Sequence, residues 1–328
     1  MLNHCCISLF SGAGGLDLGL ESAGLSVSVS QEFDSDAVET LRANGRNVVE
    51  GDIRELLRRD PKCRVLSCRR PFAVVGGPPC QSFSLAGKRL GITDDRGRLY
   101  ASFLSVAKSL NPRFLVMENV RGLVSLPNVL NNILNDFRRI GYAPVYGVLN
   151  AANYGSPQRR ERLIIIGSRD SEKIDLPAPT HAGKWRTFGD AVRGLRDNGL
   201  GTRFSPRTER LLSYVPEGGN WRSLPPRLQK EALGNVDLHK GGCCGFLRRL
   251  SFNKPSPTLM TSPTQRKTLL AHPKETRPLS VREYSRIQEF PDSWQFAGSV
   301  ASQYRQIGNA VPIALGNAIG RIFASLGG

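Results

Sequence analysis

Six short apolar runs rich in β-branched residues, separated by amphipathic stretches, fill the chain from Cys5 to about Gly167. That alternation is the pattern of a parallel sheet with helices packed on its faces. The expected strands are Cys5 to Phe10, Leu25 to Gln31, Phe72 to Val75, Arg113 to Met117, Val145 to Leu149 and Arg162 to Ile166. Between the first two, Leu16, Gly19, Leu20 and Ala23 recur at helical spacing and Gly24 supplies a stop, which makes one βαβ unit. With 328 residues, 40% of them hydrophobic, the chain can bury the core that such a sheet needs.

After Pro177 and Pro179 the texture changes to Gly, Pro, Arg and scattered aromatics such as Trp185 and Trp221, with little periodicity. Regular helix is expected again at Ser280, where Ser280 and Glu283 form a capping box ahead of Tyr284, Ile287 and Phe290. A last helix after Pro312 sets Val311, Leu315, Ala318, Ile319 and Ile322 on one face, suited to packing on the sheet. Three segments follow from this: 1–178 as the cofactor-binding and catalytic part, 179–276 as a loop-rich second domain, and 277–328 as a return that completes the first.

Charge adds a partner. The net charge is +17, and residues 182–276 carry 17 Lys and Arg against 7 Asp and Glu, so +10 of the excess sits there. A polyanion bound across such a surface would release counterions, which points to nucleic acid. The first residues, Met1-Leu2-Asn3-His4-Cys5-Cys6-Ile7, lack the basic and apolar regions of a leader, and charges interrupt later apolar runs before membrane-spanning length. A cytoplasmic, nucleoid-associated protein with no membrane partner is the expectation. The seven cysteines include no paired C-x-x-C set with nearby His, so neither a disulfide framework nor a zinc site is expected.

The first strand runs straight into Phe10-Ser11-Gly12-Ala13-Gly14-Gly15, a turn whose glycines let a ligand approach the backbone and aim a helix N-terminus at it. Glu32 ends the second strand, 20 residues after Gly12, where a carboxylate can bond ribose hydroxyls. Asp52, in Gly51-Asp52-Ile53, can accept from an adenine amino group. Together they predict an adenosine-containing cofactor, with NAD and S-adenosylmethionine both open. The third strand ends in Gly76-Gly77-Pro78-Pro79-Cys80-Gln81-Ser82-Phe83-Ser84, a stiffened polar loop presenting one cysteine. Further strands bring Met117-Glu118-Asn119-Val120 and Gln158-Arg159-Arg160-Glu161-Arg162, and Gly308-Asn309-Ala310-Val311-Pro312 precedes the last helix.

The glycine-rich turn, Pro-Pro-Cys, Glu-Asn-Val, Gln-Arg-Arg-Glu-Arg and Gly-Asn-Ala-Val, in that order, resemble the DNA cytosine-5 methyltransferase family of bacterial restriction-modification type. The likeness extends to Arg277-Pro278-Leu279-Ser280-Val281-Arg282-Glu283 with Ile287-Gln288-Glu289-Phe290-Pro291, and to Pro255-Ser256-Pro257-Thr258-Leu259. It implies a Rossmann-like, S-adenosylmethionine-dependent sheet with helices on both faces and a smaller target-recognition domain at 179–276.

The resemblance also assigns roles. Cytosine C5 is a poor nucleophile until something adds at C6, and the Cys80 thiolate is suited to that. Glu118 would donate to N3, which requires a raised pKa, and Arg160 and Arg162 would polarise O2 and hold the thiolate loop. Phe10, Ser11, Gly12, Gly14, Gly15, Glu32, Asp52, Ile53, Pro79, Asn309 and Val311 would hold the cofactor; no metal is required. The target base would be flipped out of duplex DNA by a monomer. Arginines of the middle region such as Arg248 and Arg249 would meet guanine edges, phosphate or solvent. The biological partner would be a cognate restriction endonuclease. A tRNA cytosine-5 methyltransferase and a non-catalytic DNA-binding regulator are the competing readings.

Overall fold

The computed structural model describes residues 4–66, 71–79, 97–169, 173–197, 199–233, 246–265 and 268–326. The first part alternates strands and helices: β1 (Cys5–Leu9), α1 (Gly15–Ser22), β2 (Ser26–Glu32), α2 (Ser35–Ala43), β3 (Val48–Glu50), α3 (Ile53–Arg59), β4 (Ala73–Gly76), α4 (Gly97–Leu110), β5 (Phe114–Val120), α5 (Pro127–Arg139), β6 (Ala143–Asn150), β7 (Gln158–Arg159) and β8 (Glu161–Ser168). All six expected strands are present, within a few residues at each end. The short β3 goes beyond them.

The seven-stranded sheet has the order β3-β2-β1-β4-β5-β8-β6. Strands β3, β2, β1, β4 and β5 run parallel, whereas β8 is antiparallel to both its neighbours. The chain first builds outward from β1 to β3 and then crosses to β4 on the other side of β1. That reversal makes a switch point, and open α/β sheets bind ligands outside the carboxyl ends of strands at such a point. The reversed β8 departs from the all-parallel expectation. An apolar run marks a strand but not its direction, and here β6 returns to β8 through a connection too short for a helical crossover.

Successive residues feed two cores, as the pleat requires. Ile7, Leu9, Val74, Leu115 and Met117 pack with Phe103 of α4 and Phe137 of α5. Cys6, Val75, Phe114, Val116 and Ile166 pack with Leu16 and Leu20 of α1 and with Leu315, Ile319 and Phe323 of the last helix. Each such side chain contributes roughly 1.5–3 kcal/mol on burial. Cys6 and Cys63 are buried free thiols, whereas Cys5 is disulfide-bonded.

The remaining elements are α6 (Phe188–Val192), α7 (Pro206–Leu212), α8 (Pro226–Leu233), the two-residue strands β9 (Arg248–Arg249), β10 (Ser256–Pro257) and β11 (Leu270–Ala271), then α9 (Val281–Ile287), α10 (Val300–Asn309) and α11 (Ile313–Leu326). A small core of Phe204, Leu212, Trp221, Leu233 and Leu247 lies within the middle region. The expected capping box of Ser280 and Glu283 opens α9. Helices α9 and α10 share a core with Phe188, Leu250, Leu259 and Leu270 of the middle region, while α11 packs on the sheet. In that packing a β-carbon on Gly19 would lie 2.6 Å from the Gly316 Cα, so α1 and α11 meet backbone to backbone.

Candidate active site at the switch point

Three residues of the turn after β1 lie in the left-handed region, with φ of 55° at Phe10, 54° at Gly12 and 83° at Gly14. For the glycines this is free, but for Phe10 it costs about 1–2 kcal/mol, a strain the surroundings must hold. They do so with hydrogen bonds. Ser11 N donates to Gln31 O (3.1 Å) and Gly12 N to the Glu32 carboxylate (2.7 Å). The other Glu32 oxygen accepts from Phe33 N (2.7 Å) and Asp34 N (2.9 Å), which fixes the carboxylate at the end of β2. A β-carbon on Gly12 would meet nothing within 4 Å, so the turn faces open space there. Beside it Phe33 is 70% exposed. Sequence reasoning passed over Phe33, although its place directly after the ribose-type acid was a usable signal.

At the end of β3, Asp52 caps α3 by accepting from Arg54 N (2.8 Å) and pairs with the Arg54 guanidinium, which holds its carboxyl below the usual range. Ile53 is buried in the core cluster against which Phe10 packs. Beyond β4, Pro78 is buried and Pro79 exposed; Cys80, the expected nucleophile, lies outside the described residues.

Glu118 reaches the same edge from β5. A β-carbon on Gly77 would come 2.9 Å from the Glu118 carboxylate, so the glycine leaves the acid its room. The next residue, buried Asn119, donates to Pro78 O (3.1 Å) and so ties β5 to the proline loop. That tie was not anticipated, although Glu-Asn-Val was singled out. Because β8 runs backwards, its start lies beside the end of β5, and Val120 pairs with Arg162 while Glu118 pairs with Ile164. Glu118 and Arg162 are therefore diagonal neighbours on one face, within reach of long side chains. Arg162 Nε stands 2.8 Å from a Glu118 oxygen. Burial pushes the Glu118 pKa up, and Arg162 and then Arg160 pull it part of the way back.

Arg160 is used differently. It is 2% exposed, and its two terminal nitrogens donate to Leu259 O (2.8 Å) and Gly308 O (2.7 Å). Gln158, also buried, bonds to the Gln288 side chain, whose amide donates to Ile307 O (2.7 Å) and Ala310 O (3.0 Å). The last segment is thus bolted to β7 and β8. Gly308 packs so closely that a β-carbon would lie 2.2 Å from Met260 O, and one on Gly15 would lie 2.4 Å from Val311 O. Asn309 is exposed at the end of α10, and Val311 is half-buried behind the glycine turn. The described candidates thus gather along one edge of the sheet.

The family model of the C-5 cytosine-specific DNA methylase matches residues 5–324. The chain belongs to that family. It is a DNA cytosine-5 methyltransferase, 44% identical to the Type II methyltransferase M.Eco47II of Escherichia coli over 97% of the chain and 78% of that protein. It is 41% identical to the Type II methyltransferase M.Sau96I of Staphylococcus aureus, over 95% of the chain and 74% of that protein. Among solved structures, a DNA modification methyltransferase described from an E. coli prophage superposes with a TM-score of 0.70 at 26% identity, covering 98% of this chain and 99% of that one. The S. pombe Dnmt2 methyltransferase shares the fold, with a TM-score of 0.64 at 18% identity over 98% of this chain and 99% of that one.

One expectation for the methyltransferase's middle region is overturned. Arg249 is 5% exposed, and its guanidinium donates to the carbonyls of Val215, His272, Glu275 and Leu212 and to the Thr276 hydroxyl, at 2.7–3.0 Å. A side chain so enclosed meets neither guanine nor phosphate nor solvent. It is the tie that holds α7 to the segment after β11.

Proposed function

We propose that the protein methylates C5 of a flipped-out cytosine within a specific duplex sequence, with S-adenosylmethionine as donor and Cys80 bonded transiently to C6. The carrying observation is the Glu118–Arg162 pair, held at 2.8 Å on the same sheet edge as the Gly12–Glu32 turn. Half-open glycine backbone, an immobilised carboxylate and an exposed aromatic ring fit an adenosyl group: Glu32 for the ribose hydroxyls, Phe33 and Phe10 as apolar faces, the α1 N-terminus with Ser11, Gly12, Gly14 and Gly15 for the amino-acid end. Asp52, Ile53, Pro79, Asn309 and Val311 complete the enclosure, with Asp52 sharing its oxygens between Arg54 and the adenine amino group. When bound, the donor supplies an electrophilic methyl on a sulfonium.

The chain's own groups do the rest. Addition of the Cys80 thiolate to C6 moves an electron pair toward N3 and O2 and makes C5 an enamine carbon that can take the methyl. Glu118, whose pKa burial raises, gives a proton or hydrogen bond to N3, and Arg162 stabilises charge on O2. Loss of the C5 proton to a base then returns the electron pair and expels the thiolate. Arg160 acts from behind, holding the strand that carries Arg162.

The division into 1–178, 179–276 and 277–328 fits this reading, with the middle part as target-recognition domain on its +10 charge and α9 and α10 as the joint. A cytoplasmic monomer guarding host DNA against a cognate endonuclease is the corresponding role. Bisulfite sequencing of DNA from cells expressing the protein tests it: methylcytosine at one sequence context, lost in Cys80→Ser, is expected. Labelled methyl appearing in tRNA and not in duplex DNA would refute the reading. So would the lack of a denaturant-stable adduct on 5-fluorocytosine duplex.

A further inference from the structure

Asp17 lies in the first turn of α1, just past the glycine turn, and is 0% exposed. Its carboxylate accepts from the Ser8 hydroxyl of β1 (2.6 Å) and the Ser30 hydroxyl of β2 (2.7 Å). A buried carboxylate held by two hydroxyls costs more than an apolar residue would in the same place, so packing alone does not account for it. The two bonds lead to different places. The Ser11 hydroxyl in turn donates to Ser8, with the Ser8 hydroxyl as the nearer acceptor (2.9 Å) and its main-chain carbonyl farther off (3.2 Å), and Ser11 stands inside the turn between the strained Phe10 and Gly12. Ser30 continues to no residue of the turn.

We propose that Asp17 is a positioning residue for the cofactor: through Ser8 it orients the Ser11 hydroxyl and fixes the glycine turn in its binding shape. The ionised carboxylate can only accept, so Ser8 must point its proton at Asp17 and offer its lone pair to Ser11. The chain of donors therefore has one direction, Ser11 to Ser8 to Asp17. An asparagine would present an amide donor to one serine and reverse that bond. The proposal rests on the reading that the donor binds at this turn.

Calorimetric titration of S-adenosylhomocysteine into the whole protein at about pH 8 tests both, with thermal melting as a folding control. Asp17→Asn and Ser8→Ala should each weaken binding roughly tenfold, the worth of one lost hydrogen bond, while Ser30→Ala stays within about twofold. In turnover assays Asp17→Asn should raise KM for the methyl donor and leave KM for DNA unchanged. Wild-type affinity in Ser8→Ala, or equal losses in Ser8→Ala and Ser30→Ala, would overturn the proposal even if Asp17→Asn failed to fold. Glu32→Ala separates the two levels. If it binds as tightly as wild type, the turn is not the donor site; if it binds weakly while Ser8→Ala does not, only the role of Asp17 falls.

Discussion

Arg162 Nε lies 2.8 Å from a Glu118 carboxylate oxygen, and both side chains are 13% exposed. The pair sets the state of the acid, since burial disfavours the carboxylate and the guanidinium favours it. Replacing Arg162 by Met removes the larger of the two compensating charges, so the Glu118 pKa should climb further. A folded-state carboxyl raised above its unfolded value is best tolerated when protonated. The variant's stability deficit against wild type should therefore shrink as pH falls toward about 5 and widen as it rises, which denaturant unfolding at several pH values would read. Single-turnover methyl transfer should fall by about 10²–10⁴, as for loss of a charge-stabilising donor, with S-adenosylhomocysteine binding retained.

Arg160 should act mainly on folding, since most of its bonding is to main-chain carbonyls. Its removal strands the buried carbonyls of Leu259 and Gly308 and leaves a void, at a cost of about 3 kcal/mol or more. Arg160→Ala should lose stability at every pH and lose donor binding and turnover together. Arg160→Lys should recover little, because one ammonium cannot reproduce the fork. An Arg160→Ala protein with wild-type unfolding and a selective loss of kcat would reassign it to the reacting base.

Gly15→Ala tests the seam between the turn and the last segment. A β-carbon there would meet Val311 O at 2.4 Å, and the obstacle is backbone, so relief requires α1 and the 310–312 segment to part. Overpacking of this kind costs about 1–3 kcal/mol. The expected result is a lower melting temperature and weaker S-adenosylhomocysteine binding, measured on one preparation, with DNA affinity retained.

Much of this was legible in the sequence because local rules decide it. Glycines at left-handed φ, the cap at Ser280 and the apolar runs of β1 and β5 depend on near neighbours, and the family resemblance assigned Glu118 and Arg162 to one site. What escaped depends on residues far apart in the chain. The reversed direction of β8 is set by pairing partners, and the tie of Asn119 to Pro78 spans 41 positions. Arg249 shows the same limit, since a basic dipeptide in a basic region looks solvated until the carbonyls around it are seen.

Arg249→Gln should accordingly act on folding. Losing a guanidinium that satisfies four carbonyls leaves buried acceptors unpaired, at about 1–3 kcal/mol each where no water replaces it. Proteolysis should cut the middle region sooner, and the salt dependence of DNA binding by the folded fraction should keep the wild-type slope. A lower slope with normal protease resistance would restore Arg249 to the DNA-contacting set.

Asp17 gives the fold its own pH dependence. Burial holds its carboxyl up at about 6, against about 3.9 in an unfolded chain. The hydrogen bonds from Ser8 and Ser30, and then Arg46, oppose the rise, Glu21 adds to it, and Cys6, whose thiol is pushed up to about 12, stays neutral nearby. Between those two values the folded protein keeps a proton that the unfolded chain has released. The stability this contributes is present at low pH and is lost as pH rises through about 6. Asparagine does not titrate, so wild type should gain on Asp17→Asn by about 1 kcal/mol between pH 7.5 and 5, while the other carboxyls cancel in the comparison. Urea unfolding of both proteins across that range checks it. A difference that does not move with pH would mean that Asp17 is ionised throughout, and that its hydroxyl partners, rather than a proton, make its burial tolerable.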